Sequence, residues 1–420
     1  MICNRYKPFA SKISQNTLWL FSGQSLVKAI AFLYAVFLAR VLGSSDFGLY
    51  MYVITIFGLV ASLSDFGFNR FLTRDIARDK SQLAKYLSNV FTLRILLIIL
   101  VFLLVSLILF FLDPKISRSS LAILALISII PLAAATTFDA IFVALEKMFY
   151  SALALVSLNL SVAILGFLAV FVFKMGVFGA VLTFFLAHVF YLLVFGAFLL
   201  KEKIFFSFSF DFSFWKKAFF NSLPYGLLAF LGLVYFKIDI VLLTILKNET
   251  ETGFYGASYK FLEGLHFIPL TVGTALFPVM ARLHTEDLTE LRRLYFLSLR
   301  YLLVIAIILV LILFFGAPIL INILYTPSFS PSIPALQILS FTLIFMFLHV
   351  PGAHLILATE KFLKPALALS IFTVFFNIIL NLILIPPLGL IGASIVTVIS
   401  EALSFVLFFW FIQKKIFVQL

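Results

Sequence analysis

The segment Tyr301–Ile321, "YLLVIAIILVLILFFGAPILI", holds 21 residues without one charge. About 20 apolar residues in helical form span the hydrocarbon core of a bilayer. Comparable segments follow one another along the whole chain. Within a bilayer every backbone polar group must be satisfied internally, so such segments can only be helices. The composition agrees: 64% of the 420 residues are hydrophobic and 11% are charged. A soluble chain is nearer half apolar and a quarter charged. The chain is therefore expected to be an all-α polytopic membrane protein. A soluble enzyme or a nucleic-acid-binding domain is excluded.

Hydropathy places about twelve spans, at 16–40, 47–69, 87–112, 119–145, 150–173, 176–200, 219–246, 254–281, 297–321, 332–358, 364–385 and 389–412. Gly and Pro mark the joints "GSSDFG", "DPK", "MGVFG", "TPSFSPSIP" and "IPPLG". With the N-terminus placed in the cytoplasm, most of the 30 Lys and Arg fall in cytoplasmic loops. They include Arg70, Arg74, Arg78, Lys80, Lys201, Lys203, Lys216, Lys217, Arg292 and Arg293. The positive-inside rule then predicts an even number of spans and two cytoplasmic termini. The basic face accounts for the net charge of +12 through membrane lipids, with no nucleic-acid partner. The apolar run after Arg5, Lys7 and Lys12 is too long for a cleaved signal and reads as the first span.

Two stretches nearly repeat. "EKMFYSALAL" at Glu146 is echoed by "EKFLKPALAL" at Glu360, and "MGVFGAVLT" at Met175 by "LGLIGASIVT" at Leu388. "FGLYMY" at Phe47 is echoed more faintly by "GFYGASY" at Gly253. Each echo lies about half a chain length on. The expected organisation is an N-terminal six-helix lobe, 1–206, and a C-terminal six-helix lobe, 207–420. Six is even, so the two repeats run parallel, as in secondary transporters with an axis along the membrane normal.

The stretch "FLARVLGSSDFGLYMYVITIFGLVASLSDFGFNRFLTRDIAR", Phe37–Arg78, resembles the polysaccharide-biosynthesis (lipid-linked oligosaccharide) flippases of the multidrug/oligosaccharidyl-lipid/polysaccharide exporter superfamily. Arg40, Leu42, Gly43, Gly48, Tyr50, Gly67 and Arg74 carry the likeness, and the "ALEK" and Gly-x-x-Gly-Ala joints extend it over most of the chain. The resemblance implies a V-shaped two-lobe transporter. It further implies flipping of a polyprenyl-pyrophosphate-linked oligosaccharide, of O-antigen, capsule or exopolysaccharide type, from the cytoplasmic to the outer leaflet of a bacterial inner membrane. Other polysaccharide-assembly proteins are expected as partners. The Arg–Asp pair of the lipid II flippase branch has no match here, where Tyr34 and Ala35 stand.

Charges inside spans are costly and usually functional. Lys28 shares a helical face with Gln24, and Lys237 lies in the corresponding span of the second copy. With Lys260 they are the expected cavity cations for a pyrophosphate. Glu263 follows Lys260 at i+3, so an internal pair is the simpler expectation there. Asp239, two residues from Lys237, points to the other helical face and is a poor partner for it. Arg40, Asp65 and Arg74 are candidates for gating or substrate contact, with capping beside Arg70 the simpler role for Asp65. Asp139, His188, Glu263, His354 and Glu401 are the candidates for proton coupling, His188 and Glu401 being equivalent under the repeat. Packing through hydrogen bonds is the simpler role for them and for Asn159, Asn377 and Asn381. One cysteine, Cys3, excludes a cysteine metal cluster. No phosphate-binding Gly loop is present, so no cofactor is expected. A cation-coupled multidrug exporter of the same superfamily is the alternative. A membrane polymerase or ligase is disfavoured, because no outer loop groups catalytic side chains.

Overall fold

The computed structural model describes residues 3–112, 115–359 and 362–419. Asp113 and Pro114 of the "DPK" joint, and Glu360 and Lys361 of the second Glu-Lys pair, lie outside them. Every regular element among the described residues is helical: α1 (Cys3–Asp65), α2 (Phe68–Arg78), α3 (Leu83–Leu112), α4 (Ile116–Ile127), α5 (Ile129–Ala144), α6 (Met148–Phe167), α7 (Gly176–Lys201), α8 (Phe212–Leu246), α9 (Glu249–Leu265), α10 (Phe267–Glu286), α11 (Leu288–Leu324), α12 (Ser332–Ser340), α13 (Thr342–Thr359), α14 (Leu363–Leu388) and α15 (Leu390–Lys415). A π-helical turn, Leu168–Val172, ends α6.

Eleven helical segments among the described residues are long and apolar enough to cross a membrane. Twelve were expected. The difference lies in the first segment, Ser22–Arg78, which is 57 residues long. At 1.5 Å per residue that is roughly 85 Å, against a hydrocarbon core of about 30 Å. It is broken at Gly43, where φ 77° and ψ 176° leave helical space. The two arms correspond to the first two expected spans, and the break falls at the "GSSDFG" joint.

The chain forms two compact units. One comprises Met1–Tyr34 and Val53–Leu233, the other Ala35–Tyr52 and Val234–Leu420. In the first, α2 is strongly amphipathic. Phe68, Phe71, Leu72 and Ile76 are buried on one face, packed with Phe138, Phe142 and Phe195 of α5 and α7. Arg70 is exposed and Arg74 half-buried on the other. In the second unit, Tyr295 and Leu299 of α11, Leu355 and Ile356 of α13, and Phe408 and Ile412 of α15 form a core. The outer faces are apolar too: Leu103, Leu107, Phe315 and Ile323 are each more than half exposed. Such residues suit a hydrocarbon solvent.

The echoed glycine joints take the same form. Gly176 starts α7 at φ 58° and Gly389 precedes α15 at φ 57°. Three residues on, Gly179 and Gly392 press against what comes before. A β-carbon would stand 2.6 Å from Met175 Cβ in the first case and 2.3 Å from the Leu384 carbonyl oxygen in the second.

Candidate functional site

In the second unit, α8 brings Lys237 to α9, which carries Lys260 and Glu263. The Lys237 ammonium donates to Glu263 Oε1. Lys260 Nζ donates to Oε2 at 2.7 Å. The expected i, i+3 pair is present, and a third member has joined it. All three side chains are only 21–24% exposed. Two cations share one anion, Glu263. The Lys237 ammonium also lies 5.5 Å from the centroid of the Tyr259 ring, an attraction that holds a cation in place. His266, one turn after Glu263, packs its ring 5.2 Å from that of Phe236.

Two residues along α8, Asp239 points elsewhere, as its spacing predicts. It is 2% exposed. Its Oδ2 accepts from Tyr255 Oη at 2.9 Å and from Thr397 Oγ1 at 2.8 Å. Its Oδ1 accepts from Asn381 Nδ2 at 2.6 Å. Asn381 Nδ2 also reaches Asn377 Oδ1 at 3.0 Å, and Asn377 donates to Ser400 Oγ at 3.2 Å. Asn381 Oδ1 is buried without a hydrogen bond. α8, α9, α14 and α15 therefore converge on one carboxylate with oxygen-rich surroundings. No salt bridge to Asp239 is present among the described residues. A buried carboxylate must be neutralised by a proton, paired, or bound to a cation. Glu401, one turn beyond Thr397 on α15, is a second buried carboxylate, 4% exposed. Sequence reading names Glu401 for proton coupling and Asn377 and Asn381 for packing; what it misses is their convergence with Tyr255 and Thr397 around Asp239. The i, i+4 spacing of Asn377 and Asn381 and the lone Asp239 were the available signals.

In the first unit α3 carries a buried intramembrane charge, Arg94, 4% exposed. Its guanidinium pairs with Asp65 Oδ1 at 2.8 Å. It also donates to Asn69 Oδ1 at 2.7 Å and Thr137 Oγ1 at 2.9 Å. Asp65, at the end of α1, and Asn69, in α2, both bond Arg94, so the partner of Asp65 is Arg94 and not the exposed Arg70. A recess of about 120 Å³ opens beside this group, lined by Ser64, Asp65, Asn69, Arg94 and Thr136.

The other candidates fall as follows. Lys28 is exposed, as is Gln24 one turn before it. Asp139 Oδ1 on α5 and Ser151 Oγ on α6 are buried without hydrogen bonds. His188 is 4% exposed. Its Nδ1 meets the Phe184 carbonyl at 2.8 Å and its ring packs on Phe57 and Phe184. His354 makes the same contact one turn back, to the Val350 carbonyl at 3.0 Å. Arg40 donates to the Ile323 carbonyl at the end of α11. Arg74 pairs with the adjacent Asp75 at 2.8 Å. At the end of α7, Lys147 and Tyr150 both bond Glu202. These two bonds, Lys147's foremost, hold the Glu202 carboxyl below its ordinary range. Among the described residues no group of three or more His, Cys, Asp or Glu is placed to hold a metal ion.

The family model described as polysaccharide biosynthesis protein matches residues 13–284. An uncharacterised membrane protein of Methanocaldococcus jannaschii is 28% identical over 225 residues, which cover 51% of this chain and 42% of that protein. The match thus spans less than half the length of that relative. Among solved structures, the inward-facing form of a multidrug resistance MATE family transporter of the MOP superfamily superposes with a TM-score of 0.74. It is 18% identical and covers 94% of this chain and 95% of its own. The lipid II flippase MurJ, in an inward closed conformation, gives 0.73 at 19% identity, covering 94% and 87%. A MOP superfamily transporter from Pyrococcus furiosus, described as having a binding pocket of reverse polarity, gives 0.67 at 18% identity, covering 96% and 95%. At these identities the likeness establishes the fold.

Proposed function

Because the chain belongs to the polysaccharide biosynthesis protein family and has the fold of MOP superfamily transporters, we propose that it flips a polyprenyl-pyrophosphate-linked oligosaccharide from the cytoplasmic to the outer leaflet. The repeat unit is of O-antigen, capsule or exopolysaccharide type. The lobes are 1–206 and 207–420, both termini are cytoplasmic, and the membrane is the bacterial inner membrane. Transport proceeds by alternating access and needs no covalent chemistry. The observation that supports this reading is the gathering of two ammonium groups, Lys237 and Lys260, at one carboxylate within spanning helices. An ammonium binds a pyrophosphate as a point charge. Lys28 adds a second positive position in the first unit.

The Asp239 centre supplies a coupling site. Its carboxylate, the Asn377 and Asn381 amides and the Thr397 hydroxyl form an oxygen set that accepts a proton or a hard cation. Loading that site changes the charge at the meeting point of α8, α9, α14 and α15, and so biases those helices toward one arrangement.

The test is flipping of a defined lipid-linked oligosaccharide in proteoliposomes. Lys237→Ala should slow it by roughly tenfold to a hundredfold, the worth of one charge-assisted hydrogen bond. Wild-type rates in both Lys28→Ala and Lys237→Ala would end the anion-site reading. The buried carboxylates Asp239 and Glu401 favour one second reading, export of cationic drugs coupled to a cation. Efflux of a cationic dye by vesicles that leave the lipid-linked sugar unmoved would establish it.

A further inference from the structure

Residues 204–212, "IFFSFSFDF", join α7 to α8 without a regular helix until Phe212. Three alternate amides of this extended segment are taken by side chains of α3. Ser207 N–H donates to Ser88 Oγ at 3.1 Å, Ser209 N–H to Thr92 Oγ1 at 3.1 Å and Asp211 N–H to Asn89 Oδ1 at 3.3 Å. Irregular backbone survives beside hydrocarbon only where its polar groups are satisfied within the protein. Meanwhile Phe205, Phe208, Phe210 and Phe212 stand 63–75% exposed. The segment is built to meet lipid.

It also walls a groove. Phe138, Leu192, Leu193, Gly196, Leu200 and Phe205 are among the residues lining an apolar trough of about 540 Å³ along the end of α7. That lies within the range of small-molecule sites. Gly196 opens its floor: a β-carbon there would meet no atom within 4 Å. The two walls join in a tight turn. Ile204 N–H bonds the Leu199 carbonyl at 2.9 Å and Lys203 N–H the Leu200 carbonyl at 3.1 Å. This is the Schellman closure, with Lys203 at φ 54° in the left-handed position. Lys201 and Lys203 stand exposed on that turn. The Glu202 oxygens between them are taken by Lys147 and Tyr150; Lys201 Nζ lies 5.6 Å from the Tyr150 ring centroid, and among the described residues neither lysine has a hydrogen-bonded anion. Leu200 and Ile204, which line the trough, are the chain neighbours of Lys201 and Lys203, so the turn carries two cations beside the trough's end.

We infer that this groove is a specific site for an anionic phospholipid, one acyl chain lying over Gly196 and the phosphate beside Lys201 and Lys203. Basic pockets at helix ends take lipid headgroups for the same reason. The site is separate from the Lys237 cluster and does not depend on what that cluster carries.

Native mass spectrometry of the full chain, titrated with phosphatidylglycerol or phosphatidylcholine of the same acyl chains, tests it. One phosphatidylglycerol should bind at least about tenfold tighter than phosphatidylcholine, since each lysine contributes about fivefold. The double variant Lys201→Gln/Lys203→Asn should lose the preference and keep the weak binding; Asn tolerates the left-handed position. Gly196→Phe starts from a position whose β-carbon meets no atom within 4 Å, puts a ring into the trough, and should abolish the tight binding of phosphatidylglycerol. Equal affinity of the wild type for the two lipids would overturn the proposal, as would unchanged binding in Gly196→Phe. Displacement of phosphatidylglycerol by equimolar undecaprenyl phosphate would also overturn it, by assigning the groove to a substrate anchor.

Discussion

Arg94 offers the sharpest stability test. It is almost wholly buried and bonds one anion and two neutral acceptors, so its loss strands Asp65, Asn69 and Thr137 together. Arg94→Met removes the cation but keeps its length. Breaking a buried ion pair from one side costs about 3–5 kcal/mol, because the other charge stays buried and uncompensated. Asp65→Leu breaks it from the other side. The Asp65 side chain is 26% exposed, against 4% for Arg94, so solvent relieves the stranded carboxylate more than the stranded guanidinium. Asp65→Leu should therefore be the more damaging single change. Replacing both charges removes both desolvation penalties, and such exchanges are often neutral or stabilising. The double variant should then lie within about 2 kcal/mol of wild type, giving a coupling of at least about 3 kcal/mol. Equilibrium unfolding in mixed micelles with increasing sodium dodecyl sulfate reads each value. If the single costs simply add to within about 0.5 kcal/mol, the pair is not coupled and the account of α1, α3 and α5 meeting at Arg94 is wrong.

Three further outcomes are expected. Asp239→Asn keeps the shape but removes the charge; it should uncouple transport from any imposed ion gradient while leaving downhill flipping measurable in proteoliposomes, and a retained gradient response would remove Asp239 from coupling. Gly48 and Gly253 face each other across α1 and α9: a β-carbon on Gly48 would stand 1.7 Å from the Glu249 carbonyl oxygen, so Gly48→Val should destabilise the chain by about 3 kcal/mol, seen as a lower melting temperature in detergent. Glu202, with its folded value depressed by Lys147 and Tyr150, stabilises above its unfolded value of about 4.3 and loses that contribution as pH falls through the folded value; wild type should be more stable than Glu202→Gln near about pH 6, and the difference should shrink as the pH is lowered through the folded value.

The spans and their joints were legible because about 20 apolar residues and a glycine or proline are local signals. Gly43 shows it: the turn at "GSSDFG" is read from the sequence and appears as one non-helical residue inside a long helical run. The Lys260–Glu263 pair was legible because i, i+3 places two side chains on one face. That Lys237 joins them was not, since it depends on how α8 and α9 pack across the intervening turn. The same limit hid the Asp239 centre. Spacing excluded Lys237 as its partner, but Tyr255, Asn381 and Thr397 come from three other helices. Asp65 was assigned by proximity to Arg70; the buried guanidinium that takes it lies on another helix, beyond what periodicity along one helix can show.

Glu263 holds two ammonium groups where one would satisfy it. Neutralising either lysine alone therefore leaves the glutamate still in company. A carboxylate held from two helices at once ties α8 to α9 through Lys237 and keeps Lys260 as a second hold on its own helix.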